Sequence, residues 1–147
     1  MKIRLALIGI VGGSLLSASP LMAARAGSGS TVSVGSSAYG KILFAGHGRA
    51  LYAFTRDAKG GRSTCYGDCA TAWPPYTVST RPRAAAGAQG ARLGTVRRRD
   101  GRLQATYAGR PLYFYVGDRA PGQVACQNVN EFGGLWLVLR ASGALVR

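Results

Sequence analysis

An all-β fold built from two related halves follows from three features of this chain. The first is an internal repeat. Gly48-Arg49-Ala50-Leu51-Tyr52-Ala53-Phe54-Thr55-Arg56-Asp57 recurs as Gly109-Arg110-Pro111-Leu112-Tyr113-Phe114-Tyr115-Val116-Gly117-Asp118, and the same offset carries Cys65 onto Cys126. Trp73 and Trp136 follow at nearly the same distance, beside Pro74-Pro75 in the first half and Gly133-Gly134 in the second. The second feature is alternation with period two, Tyr52 and Phe54 on one face and Leu51 and Ala53 on the other, which marks a strand. The third is turn chemistry between apolar runs, chiefly Asp100-Gly101 and Ala108-Gly109. A unit of this length present only twice does not fit an open repeat array. Two pseudo-symmetric repeats sharing one core are expected, forming one antiparallel sandwich or incomplete barrel with at most one or two short helical turns.

Taken in order, residues 27–38 are rich in Gly and Ser and read as a flexible tail. Lys41–Ala45 and Arg49–Thr55 form a hairpin around Gly46-His47-Gly48, which places His47 at a turn tip. Cys65–Ala72 has room for one helical turn, stopped by Pro74-Pro75. Residues 81–91 are rich in Ala, Gly, Arg and Pro and read as a connector. Beyond it, a two-residue Asp100-Gly101 turn pairs Leu93–Arg99 with Arg102–Tyr107, setting Arg99 opposite Arg102. Ala108-Gly109 then leads into Arg110–Val116, whose Leu112, Phe114 and Val116 oppose Tyr113 and Tyr115. With apolar residues on both faces, this is expected to be a central, doubly covered strand. The domain is thus 39–147, with repeat one at 39–80, the connector at 81–91 and repeat two at 92–147. Most of its tyrosines should be core, with Tyr66, Tyr76 and Tyr107 near turns and more exposed.

The N-terminus has the three-part layout of a secretory signal: Lys2 and Arg4, an apolar run Leu5–Leu16, and small residues where cleavage follows Ala23 or Ala26. The run is shorter than the roughly 20 residues a membrane span needs. Residues 1–26 are therefore expected to be removed, leaving a soluble secreted or periplasmic protein without a transmembrane segment. Of 19 basic and 5 acidic residues, Lys2, Arg4 and Arg25 fall in the signal, so the mature charge is 16 − 5 = +11. That field attracts polyanions. Export turns the expectation from intracellular nucleic acid toward an anionic envelope polymer or membrane surface, with Arg97, Arg98, Arg99 and Arg102 as the contacts.

Three cysteines, Cys65, Cys69 and Cys126, allow three pairings, each leaving one thiol odd. In an oxidising compartment the Cys65–Cys69 spacing, with Gly67-Asp68 supplying a bend, favours a local disulfide and leaves Cys126 free or as an alternative partner. Closing that short loop stabilises by only about 2 kcal/mol in the chain-entropy model, against about 4 for a Cys65–Cys126 link. Three cysteines and His47 match the ligand count of zinc, but the spacing fits no short zinc motif, and no metal or other cofactor is expected. Thiol-oxidoreductase and covalent-haem motifs are absent. Asp57, Asp68, Asp100 and Asp118 lie at glycine-containing turns, where carboxylates bond nearby amides. Glu131 and His47 are the only residues of their types and have no partner at an acid/base spacing. No nucleophile elbow or phosphate loop occurs, and no catalytic residue is assigned.

The doubled Tyr-x-aromatic-x-x-Asp element, Tyr52, Phe54 and Asp57 with Tyr113, Tyr115 and Asp118, resembles the bacterial family described as secreted repeat of unknown function. Members of this family are also described as predicted lipoproteins with a Tyr-x-(Phe/Trp/Tyr)-x-x-Asp motif. Further matches are Cys65-Tyr66-Gly67-Asp68-Cys69, Trp73-Pro74-Pro75, Arg99-Asp100-Gly101, Thr106–Tyr113 and Gly133-Gly134-Leu135-Trp136, covering Gly40 to Leu139. The resemblance implies an envelope or secreted protein without an established activity, and the polar residues themselves point to a non-catalytic one. Two departures stand out: the chain lacks an acylated cysteine, and Cys126 stands where glycine is expected. The expected role is binding of an anionic envelope component. A cysteine-based redox, metal-binding or electron-transfer accessory role is the alternative.

Overall fold

The computed structural model describes residues 30–147; the expected signal segment and its cleavage sites lie outside the described residues. Strands β1 (Thr31–Ser37) and β2 (Gly40–Ala45) form a hairpin in register from Val32↔Ala45 to Ser37↔Gly40. There follow β3 (Tyr52–Phe54), the short helix α1 (Asp68–Ala72), β4 (Thr77–Val78) and β5 (Arg83–Ala84). A 3-10 turn at Gly90–Arg92 precedes β6 (Leu93–Arg97), β7 (Leu103–Tyr107), β8 (Arg110–Pro111), β9 (Val129–Glu131) and β10 (Gly134–Val138). The strands make three small sheets, ordered β2-β1-β5, β3-β10-β9 and β4-β7-β6, with β8 on β7 and no closed barrel. All pairings are antiparallel except a two-residue parallel contact of β1 with β5.

The repeats are related by a local two-fold axis. It passes between Tyr52 and Tyr113, whose backbones exchange two hydrogen bonds, N–H of each to C=O of the other, both 2.9 Å. Across this axis each half pairs with a strand or segment that contains or just follows the other's tryptophan. β10 of the second half pairs with β3 of the first, Trp136↔Phe54 through Val138↔Tyr52. In return Pro75 bridges Tyr113, Phe114 N–H donates to Pro74 C=O at 2.8 Å, and β4 pairs with β7. Two of the three sheets thus draw strands from both halves, and only β2-β1-β5 is built from the N-terminal part alone.

The same axis organises the core. Phe54 stacks on Trp136 at 4.2 Å between centroids, Trp136 on Trp73 at 4.1 Å, and Trp73 against Tyr115 at 4.6 Å. Tyr52 meets Trp73 edge-on at 5.2 Å and Tyr113 meets Trp136 likewise at 5.1 Å. Each ring thus has its counterpart across the axis, and the two edge-to-face contacts are of a kind that aromatic quadrupoles prefer.

Several elements differ from the sequence-based expectation. The stretch read as a flexible tail through residue 38 holds β1, because its small side chains let neighbours cover it; a Cβ on Gly35 would come within 3.0 Å of the Phe44 ring. The connector is tied down by β5 and by Arg81, whose Nε and Nη2 donate to Leu93 C=O and Gly90 C=O. Tyr76 and Tyr107 are buried rather than exposed, since the turns beside them fold under the opposite half. The 100–101 turn is a three-residue loop: Arg98 N–H donates to Arg102 C=O at 2.9 Å and Gly101 N–H to Arg98 C=O at 3.0 Å. Gly101 there has φ +84°, the left-handed residue that such loops need. Arg98, not Arg99, therefore faces Arg102, and a one-residue shift moves a side chain to the other face of the sheet.

Candidate functional site

The motif residues join the two halves. Tyr52 Oη donates to Asp118 Oδ2 at 2.8 Å, and Tyr113 Oη to Asp57 Oδ2 at 2.5 Å, so each half's tyrosine is bonded to the other half's aspartate. The second carboxylate oxygens accept from the residue seven positions on: Asp57 Oδ1 from Thr64 N–H and Oγ1, both 2.7 Å, and Asp118 Oδ1 from Ala125 N–H at 2.8 Å. Asp57 is 2% exposed, Asp118 4%, and both tyrosines 0%. Phe54 and Tyr115 cap the ring column. Tyr52, Asp57, Tyr113 and Asp118 are all shielded from solvent, with Tyr115 partly exposed, so these four residues act as a lock between repeats.

Burial, and then the bond to Asp118, holds the Tyr52 hydroxyl far above the ordinary phenol range. Tyr113 is raised likewise by burial, then by the Asp57 charge and hydrogen bond. Both pKa values are higher folded than unfolded. Their contribution is therefore complete below about pH 10 and is lost as pH rises above it, at about 1.4 kcal/mol per pH unit for each tyrosine. Alkaline unfolding followed by circular dichroism should steepen above pH 10, and Tyr52→Phe should flatten it. Full phenolate absorbance from a still-folded protein near pH 11 would contradict this.

Cys65 and Cys69 form a disulfide with Cα atoms 5.3 Å apart, and Cys126 is a buried free thiol. Burial first, then the Glu131 charge, pushes the Cys126 thiol up. The negative charge that ionised Cys126 would carry in turn raises Tyr115, with burial adding to it. Glu131 Oε2 accepts the Trp73 indole N–H at 2.9 Å. A protonated, buried thiol is a poor nucleophile. Ellman titration of the native protein should thus register well under one thiol, rising to one in denaturant; immediate full reaction of the native chain would refute the placement.

The four arginines expected to contact polyanions divide. Arg97, Arg99 and Arg102 are exposed; Arg97 donates to Gly101 C=O, and Arg102 chelates Asp100 Oδ2 from Nε and Nη2 at 3.0 and 2.7 Å. These Arg102 bonds hold the Asp100 carboxyl below its ordinary value. Arg98 is 3% exposed and turned inward, so a polyanion on the surface cannot touch it. It donates to Ser63 Oγ, Gln104 Oε1 and Cys65 C=O at 2.9, 2.7 and 2.9 Å. The Tyr66 ring lies beside both the Arg98 and Arg99 guanidiniums, at 4.4 and 3.8 Å. Tyr66 belongs to the disulfide loop, which is thereby pinned to the β6–β7 tip. Between them opens a notch of 310 Å³ lined by Arg62, Ser63, Thr64, Tyr66 and Arg99.

Sequence reasoning passed over Arg62, Ser63, Thr64 and Gln104. The one signal for Thr64 was its position, seven after Asp57, matched by Ala125 after Asp118. His47 is exposed at its turn tip, 5.3 Å from the Phe114 ring. No cluster of three metal-ligating side chains occurs among the described residues. No described helix is long and apolar enough to cross a membrane. Comparison with curated proteins and with solved structures finds no match. A family match covers residues 33–77 and 94–140, the two halves that the axis relates. The chain accordingly belongs to the family of secreted repeats of unknown function.

Proposed function

We propose that this exported protein is non-catalytic and binds an anionic component of the cell envelope through its arginine surface. One observation carries the reading: four of the five carboxylates, two of them buried, are engaged by the protein's own donors, while all the described basic side chains but Arg98 lie at least partly exposed. Asp57 and Asp118 bond buried tyrosines, Glu131 bonds Trp73, and Asp100 takes both ion pairs found among the described residues. Sixteen basic side chains thus face five acids of which only Asp68 has no hydrogen bond or ion pair among the described residues. A largely uncompensated field of this sign concentrates anions at the surface and weakens as salt screens it.

Retention of the mature domain on heparin and on anionic vesicles tests the reading. Strong retention that falls steeply with salt is expected, weakened further by replacing exposed arginines remote from the notch, such as Arg83, Arg119 and Arg140. Absent or salt-insensitive retention would sink it. The cysteine-based alternative has one buried thiol and one disulfide to work with.

A further inference from the structure

We propose that the notch beside the disulfide loop is a binding site for a phosphate ester; this rests on the anion-binding reading and gives it a location. Its hydroxyls are already committed. Thr64 Oγ1 donates to Asp57, and Ser63 Oγ donates to Tyr113 Oη at 2.6 Å while accepting from Arg98 Nη1 at 2.9 Å and from Cys65 N–H at 3.2 Å. The donors left for a ligand are the Arg62 and Arg99 guanidiniums, neither of which has a hydrogen bond or ion pair from its side chain among the described residues, and the Tyr66 hydroxyl. Tyr66 Oη accepts Arg99 N–H at 3.0 Å, and its own proton has no acceptor among those residues.

The second observation lies beneath the notch. Arg98 is a buried cation whose three hydrogen bonds all go to neutral oxygens, Ser63 Oγ, Gln104 Oε1 and Cys65 C=O. Its Nε has no hydrogen-bond partner, and the nearest carboxylate, Asp100, stands 3.8 Å away and is shared with Arg102. A buried charge whose one ion-pair partner stands 3.8 Å off and is shared with Arg102 is under-compensated, and an anion against the Ser63–Tyr66 wall adds to its compensation. The Asp57 carboxylate also lies behind Thr64, but it already accepts from Tyr113 and twice from Thr64.

The donor set selects the ligand class. Each guanidinium presents a pair of parallel N–H groups to two oxygens. A carboxylate fills one such fork, whereas a phosphate ester has enough oxygens for both arginines and the phenol. The volume is at the lower end of the roughly 300–1,000 Å³ of ligand clefts, which suits a head group rather than an extended polymer.

The mature protein is titrated with glycerol 3-phosphate, inorganic phosphate and acetate at constant ionic strength, followed by 15N NMR. Saturable shifts centred on residues 62–66 and 98–99 are expected for both phosphates and not for acetate. Arg62→Gln with Arg99→Gln should weaken the ester at least about tenfold with an unchanged melting temperature. Vesicles of phosphatidylcholine with and without phosphatidic acid then distinguish a lipid head group from a free ester: binding that requires phosphatidic acid and both arginines assigns the lipid, and ester binding alone assigns the soluble form. No saturable shift, an equal response to acetate, or full affinity in the double variant overturns the site. Because heparin retention rests on the whole surface, its persistence in that case leaves the broader reading intact, while its loss in the unmodified protein removes that reading instead.

Discussion

Asp57→Ala is expected to destabilise the protein by about 3–5 kcal/mol, a large part of the roughly 5–15 kcal/mol that holds a domain together. The substitution strips the acceptor from Tyr113 Oη and from both donors of Thr64, at a position 2% exposed. Hydrogen bonds to a charged group contribute about 1.5–3 kcal/mol each, and donors orphaned in the interior carry their full desolvation cost. Asp118→Ala removes two such bonds, from Tyr52 Oη and Ala125 N–H, and should cost about 2–4 kcal/mol. Tyr113→Phe leaves Asp57 its Thr64 partners and should cost less than either. Urea unfolding of the three variants measures this order. An Asp57→Ala protein within about 0.5 kcal/mol of the parent would show that the cross-repeat bond is incidental.

Cutting the chain within the connector should abolish folding of both pieces. A fragment ending near residue 86 keeps β3 but loses β10, its hydrogen-bonding partner, and the fragment from residue 87 onward loses β4 and Pro75. Each also loses one of the two stacked indoles. An aromatic side chain buries about 150–250 Å², so exposing Trp73 or Trp136 alone forfeits roughly 4–6 kcal/mol. Separate fragments should give unfolded far-ultraviolet spectra, and equimolar mixing should restore the native one. A cooperative melt from either fragment by itself would contradict the interlocked pairing.

These two results bear on why a motif so legible in sequence names no chemistry. Tyr52, Asp57, Tyr113 and Asp118 stand out because the repeat duplicates them, yet what they touch lies 56 to 66 positions away. Read locally, an aspartate beside glycine starts a turn, and Asp57 N–H does donate to Phe54 C=O at 3.1 Å. That the carboxylate also reaches the opposite repeat depends on the two-fold arrangement. The arginine run shows the same division. Arg97-Arg98-Arg99 reads as a solvated tip, but the glycine at 101 admits a three-residue loop. That single step of register turns Arg98 inward to Ser63, Gln104 and Cys65. The notch follows from it, since Arg98 and Arg99 together flank Tyr66.

The amino-acid sequence by itself determined the all-β class, the duplication, the positions of the turns at Gly48, Gly101 and Gly109 and the short helix ahead of Pro74-Pro75, and it favoured the local disulfide over two other pairings. These depend on chemistry within a few residues: period-two alternation, tolerance of positive φ, and cysteines four apart. Only the tertiary structure decided which strand pairs with which half, which tyrosines are covered, and which arginine is buried. Those outcomes rest on contacts between distant segments, where burying both tryptophans on one axis outweighs the local preference of any single turn or tail.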